Sequence, residues 1–406
     1  MASAVYVLGG HQTDFALKAP DGDVFGLLQD ATLGALDAAN VGAAEVEVIH
    51  VGNFAGELFN FQGQMGGLVA AVDPALDNKP AARHEAACAS GSMAVLAAMA
   101  DIEAGRCDVA LVVGAEVLRN VSPPEAGLRL GCAGWTGREL VDEPLPWPSS
   151  FARMAEEYDK RYGLEHAHIG RIAEINTTNA RRNPKAQTRH WSFEWTDFYD
   201  SGNNPPVSGM LRKLDCSRTT DGAAGVVLAS ERAVTEWARR RATAPEAVPR
   251  ILGWGHRTAT MRLEDKLRAS ADAEYLFPHM RTAITDAYTR AGINGPDQLD
   301  LIETHDCFSI SEYIAIDHFG ITTPGKAWQA VDDGLIDFGG ALPVNPSGGL
   351  IGLGHPVGAT GVRMILDAAK QVTGTAGEYQ VEGARRAATL NIGGSATTVA
   401  SFVVGV

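Results

Sequence analysis

A short segment around Cys88 carries the residue types that covalent catalysis needs. The cysteine lies in the run His84-Glu85-Ala86-Ala87-Cys88-Ala89-Ser90-Gly91-Ser92, and small and apolar residues follow as far as Ala100. This composition predicts a helix that is buried on all sides and begins beside the cysteine. Because a helix N-terminus favours a thiolate, Cys88 is a candidate nucleophile with a lowered pKa. A small apolar core residue is the alternative interpretation, because free cysteines are often buried.

The second candidate is His355, which lies in a glycine-rich loop. Pro356 follows it directly, and the surrounding glycines are Gly352, Gly354, Gly358 and Gly361. Glycine permits tight turns and close approach of the backbone to a ligand or to another segment. A histidine in such a loop could act as the general base for Cys88. The alternative is a histidine whose hydrogen bonds are satisfied inside the core.

Two further segments carry weaker signals. The segment 303–309 follows a predicted buried strand, where loops often hold active-site groups, but its His305-x-Cys307 spacing does not define a site alone. The segment 390–394 is predicted as a turn whose glycines could present backbone N–H groups to an oxyanion. Both segments become candidate parts of the site only if the fold brings them to Cys88.

A repeated order of elements would bring these loops together. The first copy comprises strand 4–10, helix 24–41, strand 46–51, the helix after Cys88, strand 108–114 and a later strand at 220–230. The second copy comprises strand 250–255, helix 273–293, strand 300–303, helix 362–372 and last strands over 393–403. We interpret this order as a duplicated α/β unit. Two such halves packed face to face place Cys88 beside His355.

Residues 118–217, which interrupt the first copy of the pattern, differ from the rest of the chain in amino-acid composition. Prolines and aromatic residues are dense, strand signals are weak, and helical spacing appears over 154–162 and 168–182. This segment is predicted to be an inserted lid over the site. The predicted domains are therefore 1–117 with 218–246, the lid at 118–217, and a C-terminal half at 247–406.

Bulk properties exclude several classes of function. The 406 residues exceed the usual size of one core, and the net charge of -15 argues against binding nucleic acid or an anionic membrane. Five cysteines without Cys-x-x-Cys spacing suggest neither a disulfide framework nor a zinc cluster. With no leader, long apolar run or peroxisomal address in the sequence, we expect a cytoplasmic protein.

Taken together, four motifs resemble the thiolase superfamily over nearly the whole chain. Two of them are the nucleophile loop Cys88-Ala89-Ser90-Gly91 and the loop Gly354-His355-Pro356-Val357-Gly358-Ala359-Thr360-Gly361. His305-Asp306-Cys307-Phe308 stands where ordinary thiolases have Asn-Glu-Ala-Phe, and Asn391-Ile392-Gly393 stands where they have Cys-x-Gly. The His-Asp-Cys-Phe variant is typical of the sterol-carrier-protein type of thiolase. The resemblance implies βαβαβαββ halves in a five-layer αβαβα core with a loop domain.

The resemblance also implies a reaction. Cys88, deprotonated by His355, would attack the keto carbon of a 3-oxoacyl-CoA, and CoA would then collect the acyl group. Cys307 would be the acid/base that replaces the cysteine missing from the fourth motif. His305 and His355 would hold the enolate oxygen, and the N–H groups of Cys88 and Gly393 would hold the oxyanion of acyl transfer. In reverse the same residues would perform a Claisen condensation.

The family pattern suggests where CoA would bind. Met154 stands near the pantetheine contact, and the candidates for the phosphates are Arg153, Arg181, Arg182, Lys185, Arg212 and Lys213. Acyl-CoA and CoA are expected as substrates, with no metal and no tightly bound cofactor. The remaining cysteines, Cys107, Cys132 and Cys216, are interpreted as structural.

Alternatives remain open at this stage. A thiolase-like scaffold that binds acyl-CoA and depends on a small partner protein is one, and an aldolase or decarboxylating condensing enzyme of the same fold is another. Retention of Cys88, Cys307 and His355 argues against an inactive scaffold. The resemblance also implies a homodimer, to which strand 108–114 or the lid could contribute. Acyl chain length and the role in fatty acid or sterol degradation stay undecided.

Overall fold

The strands form one large mixed sheet and one small hairpin. The computed structural model describes residues 4–19 and 23–406, to which all statements below refer. Its strands are β1 (Val5–Gln12), β2 (Val48–Gly52), β3 (Ala81–His84), β4 (Val109–Glu116), β5 (Pro206–Ser208), β6 (Leu211–Arg212), β7 (Gly222–Ser230), β8 (Arg250–Thr258), β9 (Leu301–Glu303), β10 (Arg386–Gly393) and β11 (Thr398–Gly405).

Helices cover the sheet on both faces. They are α1 (Val24–Ala39), α2 (Gly56–Asn60), α3 (Met65–Ala70), α4 (Ser90–Glu103), α5 (Pro123–Leu130), α6 (Pro146–Tyr162), α7 (His166–Ala180), α8 (Glu231–Arg240), α9 (Leu263–Ala269), α10 (Pro278–Ala291), α11 (Ser309–Phe319), α12 (Ala327–Asp332) and α13 (Thr360–Val372). None of these helices combines the length and the apolar character that crossing a membrane requires.

The strand order contains the predicted repeat. The sheet runs β3-β2-β4-β7-β1-β8-β11-β10-β9, and β1 joins β8 through only two residue pairs. Reading outward from that joint, β1, β7, β4 and β2 correspond to β8, β11, β10 and β9. The counterpart of β3 is reduced to one parallel bridge between Ile302 and Val344. The predicted duplicated α/β fold is confirmed.

The helices arrange the halves in layers. Helix α1 packs on β1, β4 and β7, and α10 packs on β8 and β11. The inner helices α4 and α13 contact one another, and α13 also touches strands of both halves. Burial of their apolar side chains against the strands of both halves supplies the main driving force for joining the halves. The loops that precede α4 and α13 thereby meet at the centre.

A glycine contact sets how closely these loops approach. A Cβ atom on Gly358 would lie 2.6 Å from the Gly52 carbonyl oxygen and 2.8 Å from that of Ala115. Those distances are shorter than real Cβ contacts allow, so the backbone around His355 can rest against the strands of the N-terminal half only with glycine here.

Several predicted elements differ from the structure. Helix α4 is not buried on all sides, because Met93, Leu96 and Ala97 are half-buried and Ala100 is exposed. The strand predicted over 393–403 is instead the end of β10, a turn at 394–397 and β11. Strand β4 lies inside the sheet between β2 and β7, so it has no free edge to offer a second copy; the edge strands of the described sheet are β3 and β9.

The insertion at 118–217 is helical, with α5, α6, α7 and the β5–β6 hairpin. Helix α6 begins at Pro146, eight residues before the predicted start at 154, where proline suits a first turn. Helices α6 and α7 pack against α11 of the C-terminal half, which anchors the insertion over that half. The domain boundaries stay a prediction.

Candidate active site

The Cys88 loop is held by short local hydrogen bonds. Ser90, at the start of α4, donates its hydroxyl to the Ala87 carbonyl at 2.6 Å and accepts the Ala86 N–H at 3.0 Å. Ala87 has a φ of 50°, a left-handed conformation that residues with a Cβ rarely adopt. Such local strain is common where a reactive group must be presented. The loop thereby turns the Cys88 side chain into the central pocket.

The Cys88 thiol is protonated at rest. Burial raises its pKa to about 12, although the backbone N–H groups of Gly394 and of Cys88 itself act in the opposite direction. The lowered pKa expected from the helix N-terminus is therefore wrong, because desolvation outweighs the N–H groups. A neutral thiol needs a base before it can attack.

His355 has the geometry of that base. Its Nδ1 lies 2.8 Å from the Thr360 hydroxyl, which donates to the Pro356 carbonyl at 3.0 Å. Since that hydroxyl has a single proton, its oxygen accepts from His355, and Nδ1 carries the imidazole proton. Nε2 then keeps its lone pair, and it is buried with no hydrogen-bond partner among the described residues. Burial also lowers the pKa of His355 to about 3, which keeps the ring neutral.

The structure brings Cys88, His305 and His355 together. The thiol sulfur and one nitrogen of each ring all lie within 4.8 Å of one another. The two rings are nearly perpendicular, with centroids 5.2 Å apart. A thiol and two imidazoles could also hold a soft metal ion, so the expected absence of a metal stays a prediction.

His305 has the opposite tautomer to His355. The Asn391 amide accepts the Ser92 hydroxyl through Oδ1 at 2.8 Å, so its Nδ2 donates to His305 Nδ1 at 3.1 Å. Nε2 of His305 must then carry the proton, and burial lowers the pKa of the ring well below its usual value. His305 is thus a neutral donor, whereas His355 is a neutral acceptor. Sequence reasoning identified both histidines but missed Ser92, whose contact spans 299 positions.

Cys307 completes the set. It is buried, lines the same pocket as Cys88, and its Sγ lies 4.0 Å from the Ser311 hydroxyl. Burial, together with the neighbouring Cys88, raises the pKa of this thiol well above its usual value. A protonated thiol at this position can donate a proton to a carbanion formed beside Cys88.

Buried carboxylates fix the loops from behind. Glu116, at the end of β4, accepts the N–H groups of Phe54, Ala55 and Gly358 at 3.0 to 3.1 Å. It thereby ties the histidine loop to the N-terminal half. Burial raises the pKa of Glu116 to about 7, although these N–H groups oppose the shift.

A second carboxylate acts within the C-terminal half. Asp306 accepts the N–H of Leu350 at 2.5 Å and that of Ile351 at 3.1 Å, and Asn176 donates to it at 2.8 Å. Because Asp306 lies between His305 and Cys307, these bonds fix the backbone that carries both side chains. The sequence does not point to Glu116, and it identifies Asp306 only as part of a motif, because the hydrogen bonds of both carboxylates join segments distant in sequence.

Cys88, Cys307 and His355 open onto an apolar pocket of about 230 Å³. Residues from the core and from the insertion share its wall, among them Phe54, Leu118, Leu130, Leu145, Trp147, Phe151, Phe308 and Val357. Such a lining suits an acyl chain.

The predicted oxyanion glycine is placed beside the site. A Cβ on Gly393 would lie 2.2 Å from the Ala86 carbonyl oxygen, so Gly393 packs against the nucleophile loop. The next residue, Gly394, lines the pocket and directs its N–H to the Cys88 sulfur. The structure therefore brings Gly394 rather than Gly393 to the thiol.

The predicted CoA residues are not gathered at the pocket. Met154 is buried beside Phe277 and Met280 in a separate small cavity. Arg153 pairs with Glu143 at 3.1 Å and Glu264 at 3.3 Å.

The other predicted phosphate ligands are scattered over the surface. Arg212 pairs with Asp200 at 2.9 Å, Lys185 pairs with Asp14 at 3.0 Å, and Arg182 lies over the Phe338 ring. Lys213 and Arg181 are exposed. Of the remaining cysteines, Cys107 is buried, Cys132 is exposed and Cys216 lines the pocket. The assignment of phosphate ligands stays a prediction.

Comparison with known sequences defines the class of protein. Residues 5–190 match the family described as thiolase, N-terminal domain, and residues 263–406 match the thiolase C-terminal domain-like family. The acetyl-CoA acetyltransferase of Methanothermobacter thermautotrophicus is 33% identical over 400 residues, 98% of either chain. Sterol carrier protein 2 of Gallus gallus is 30% identical over 329 residues, which are 78% of this chain and 57% of that protein.

Solved structures agree with the fold. The Ltp2-ChsH2(DUF35) aldolase superposes with a TM-score of 0.79 at 20% identity, covering 99% of this chain and 97% of that one. Human mitochondrial 3-ketoacyl-CoA thiolase gives 0.70 at 18% identity, with 99% and 98% covered. The chain belongs to the thiolase family. The predictions of a thiolase fold and of an acyl-CoA acyltransferase enzyme are confirmed.

Proposed function

We propose that this enzyme cleaves 3-oxoacyl-CoA with CoA, and runs the reverse condensation, through an acyl group on Cys88. The observation that carries the proposal is the cluster of the Cys88 sulfur with nitrogens of His305 and His355 within 4.8 Å. Its two rings are neutral and hold opposite tautomers, so the cluster contains one base and one donor.

The first half of the reaction breaks a carbon–carbon bond. His355 Nε2 takes the Cys88 proton, and the thiolate attacks the keto carbon of the substrate. The bond between C2 and C3 breaks, and its electron pair moves onto the thioester oxygen as an enolate. Cys307 then gives its proton to C2, which releases acetyl-CoA or its 2-methyl equivalent.

The second half transfers the acyl group to CoA. The CoA thiol gives its proton to the Cys307 thiolate, and the CoA sulfur attacks the Cys88 thioester. Cys88 leaves and recovers its proton from His355, so every group returns to its starting state. The N–H groups of Cys88 and Gly394 are suited to hold the oxyanion of this step, and Gly393 stays the alternative donor.

His305 supplies the complementary donor. With Nδ1 occupied by Asn391, its Nε2–H is available to the developing enolate oxygen. A fixed neutral donor stabilises such charge without reorganisation at the moment of reaction. The free energy of the enolate then depends on Asn391, a residue that stands where ordinary thiolases have a cysteine.

A homodimer is proposed for the assembled enzyme. Edge strand β3 leaves one side of its backbone unpaired within the described sheet, and its residues are exposed or half-buried. Beside it in sequence, α4 has an apolar half-buried face over Met93, Leu96 and Ala97. An edge strand beside an apolar face is suited to pairing with a second copy.

We also propose a cytoplasmic location and the use of free acyl-CoA and CoA. All five cysteines are free thiols, which fits a reducing compartment and the need for a reduced Cys88. A small partner protein remains the second mode of action, to be examined if the isolated chain binds CoA without turning substrate over.

The mechanism is tested by separating its halves. Intact mass is measured after mixing with acetyl-CoA, and cleavage is followed with acetoacetyl-CoA and a longer 3-oxoacyl-CoA. Wild type should gain one acetyl group and cleave at least one substrate, whereas Cys88→Ala should do neither. Cys307→Ala should accept the acetyl group but lose about 10³-fold in cleavage.

Cys107→Ala is the control, since this buried cysteine lies outside the pocket. It should retain both acylation and cleavage. Acetylation of Cys88→Ala, or normal cleavage by Cys307→Ala, would contradict the assignment. An inert wild type that still binds CoA would favour the partner-dependent alternative.

A further inference from the structure

Arg218 lies between the catalytic loops. The N–H of Ser217 donates to the Cys307 carbonyl at 2.9 Å, and Thr219 forms a bridge with His355. The residue between them therefore has its backbone fixed on both sides by segments that carry reacting groups. Arg218 itself lines the same pocket as Cys88.

The guanidinium of Arg218 has no carboxylate within 4.0 Å in the part of the chain that the structure describes. The guanidinium carbon lies 5.9 Å from the centroid of the Trp191 ring. Burial lowers the pKa of this group.

A second arginine shows how the fold treats a buried guanidinium elsewhere. Arg363 is fully buried and pairs with Glu303 at 2.8 Å and with Asp367 at 3.3 Å. Removing a guanidinium from water is unfavourable unless an anion or acceptors compensate. Arg363 is fully buried and compensated within the protein, whereas Arg218 is half-buried beside an apolar pocket and keeps its five donors free of a carboxylate among the described residues.

We propose that Arg218 binds a carboxylate at the far end of the acyl chain. The inference rests on the proposed function and names its substrate class: 3-oxoacyl-CoAs that end in a carboxylate rather than a methyl group. The planar guanidinium matches a carboxylate with two parallel hydrogen bonds. The apolar wall between Arg218 and Cys88 would contact the methylene groups of the chain.

The CoA phosphates fit this position less well. The whole pantetheine arm separates them from the thioester that must lie beside Cys88. Arg218 is fixed next to residues that touch the reacting atoms, so the acyl group is the part of the substrate within its reach. The carboxylate is therefore the anion that the geometry favours.

Matched substrates test the proposal. Thiolysis is measured with two 3-oxoacyl-CoAs of six-carbon acyl chain, one ending in a carboxylate and the other in a methyl group. Wild type should prefer the carboxylate substrate by about 10-fold or more in kcat/KM, as expected for a charged hydrogen-bonded pair. Arg218→Gln should lose about 10²-fold on that substrate and change the methyl substrate less than about 3-fold.

Two further variants distinguish a specific effect of Arg218→Gln from a loss of activity through misfolding. Arg218→Lys keeps the charge and should keep part of the preference, and Arg239→Gln, on exposed α8, should behave as wild type. In addition, both ligands are titrated into Cys88→Ala, and the dissociation constants should show the same preference without turnover. This binding measurement decides the role of Arg218 even if no cleavage is seen.

Several results would overturn the inference. Equal losses on both substrates in Arg218→Gln would assign Arg218 to CoA or to the fold. Cleavage of the methyl substrate by wild type without any carboxylate preference would reject the inference and leave the thiolase function intact. Failure of wild type to cleave either substrate would reject the proposed function, whereas a binding preference in Cys88→Ala would still support Arg218.

Discussion

The two catalytic loops occupy equivalent places in the repeated halves, each before an inner helix, yet they are built differently. The Cys88 loop uses a left-handed alanine and backbone N–H groups to expose a thiol. The His355 loop uses the Thr360 hydroxyl to fix a tautomer. Both groups are uncharged, because burial raises the pKa of one to about 12 and lowers that of the other to about 3.

This comparison indicates how the site is activated. A thiolate–imidazolium pair would need charges that a largely buried site stabilises poorly. Here the Cys88 thiol and the His355 imidazole are both neutral before the substrate binds. The proposed proton transfer from Cys88 to His355 then accompanies attack on the substrate carbonyl. In the proposed mechanism the N-terminal half supplies the nucleophile, and the C-terminal half supplies His355 and Cys307, which exchange protons with Cys88 and with the substrate.

Among the single changes to the histidines and their hydrogen-bond partners, replacing the proposed base His355 should lower the reaction rate most. His355→Gln should lower the rate of Cys88 acylation about 10³-fold, because the other ring of the cluster, His305, presents a donor rather than an acceptor. Rapid-quench mass spectrometry with acetyl-CoA measures that rate. A fall of less than about 10-fold would mean that the cysteine loop activates its own thiol.

Reversing the tautomer of His305 should lower the reaction rate less than replacing His355. Asn391→Asp replaces a donor by an acceptor, so Nδ1 of His305 would take the proton and Nε2 would lose it. We expect about 10²-fold lower kcat for cleavage, as for loss of an oxyanion donor, with KM and acylation by acetyl-CoA nearly unchanged. Ser92→Ala, which only frees the amide, should show a smaller loss of the same kind. Equal losses in cleavage and acylation would assign Asn391 to packing.

Removing the Thr360 hydroxyl, which accepts a hydrogen bond from His355, tests whether the tautomer of His355 matters as much as that of His305. Thr360→Val keeps the shape but lets the ring adopt either tautomer, and we expect about a 10-fold slower acylation, equivalent to one neutral hydrogen bond. Circular dichroism and the unfolding temperature should match wild type. An unchanged rate would show that another contact orients the ring.

Acid should destabilise the fold through buried neutral histidines in both halves. Burial lowers the pKa of His84 to about 4 and that of His318 to about 3. Because the unfolded rings titrate near 6.5, their contribution is present above that pH and lost as pH falls towards the folded values. His318→Gln should therefore flatten the loss of unfolding free energy below pH 6.5 by up to about 1.4 kcal/mol per pH unit. His190→Gln, at an exposed position, is the control, and equal slopes in both variants would contradict the prediction.

The smallest expected change concerns the base itself. Since the pKa of His355 is lowered to about 3, its lone pair stays available throughout the stable range. Acylation by acetyl-CoA should change less than about 2-fold between pH 7 and pH 5, whereas an ordinary histidine would lose more than 10-fold. A steep loss near pH 6.5 would show that the ring is solvated before substrate binds.

The chain sequence carries much of this arrangement. Glycines around His355 and the small residues after Cys88 define loops through local chemistry, and the repeat implies that the loops meet. Local patterns cannot reveal which polar groups pair across the core. Ser92 and Asn391 lie 299 positions apart, and only the packing of α4 against the end of β10 joins them.

Other differences have equally physical causes. Helix α11 was not predicted because all its residues are buried, so its sequence has no amphipathic period to detect. The pKa of Cys88 was misjudged because the helix N-terminus is visible in a sequence, whereas desolvation depends on the whole fold. The acidic partners of Arg153 and Arg212 are equally invisible in the sequence, because they lie on other loops, and the assignment of both arginines to the CoA phosphates stays a prediction.

The inner helix α13 contacts strands of both halves, so it acts as a shared layer of the core. During synthesis, α4 can cover β2 and β4 early, but the part of the N-terminal half that α13 contacts stays open until residues 360–372 follow. An apolar face left open in this way invites aggregation or chaperone binding. The active site is assembled only as the final strands emerge, because Cys88, His355 and Gly394 must all be present.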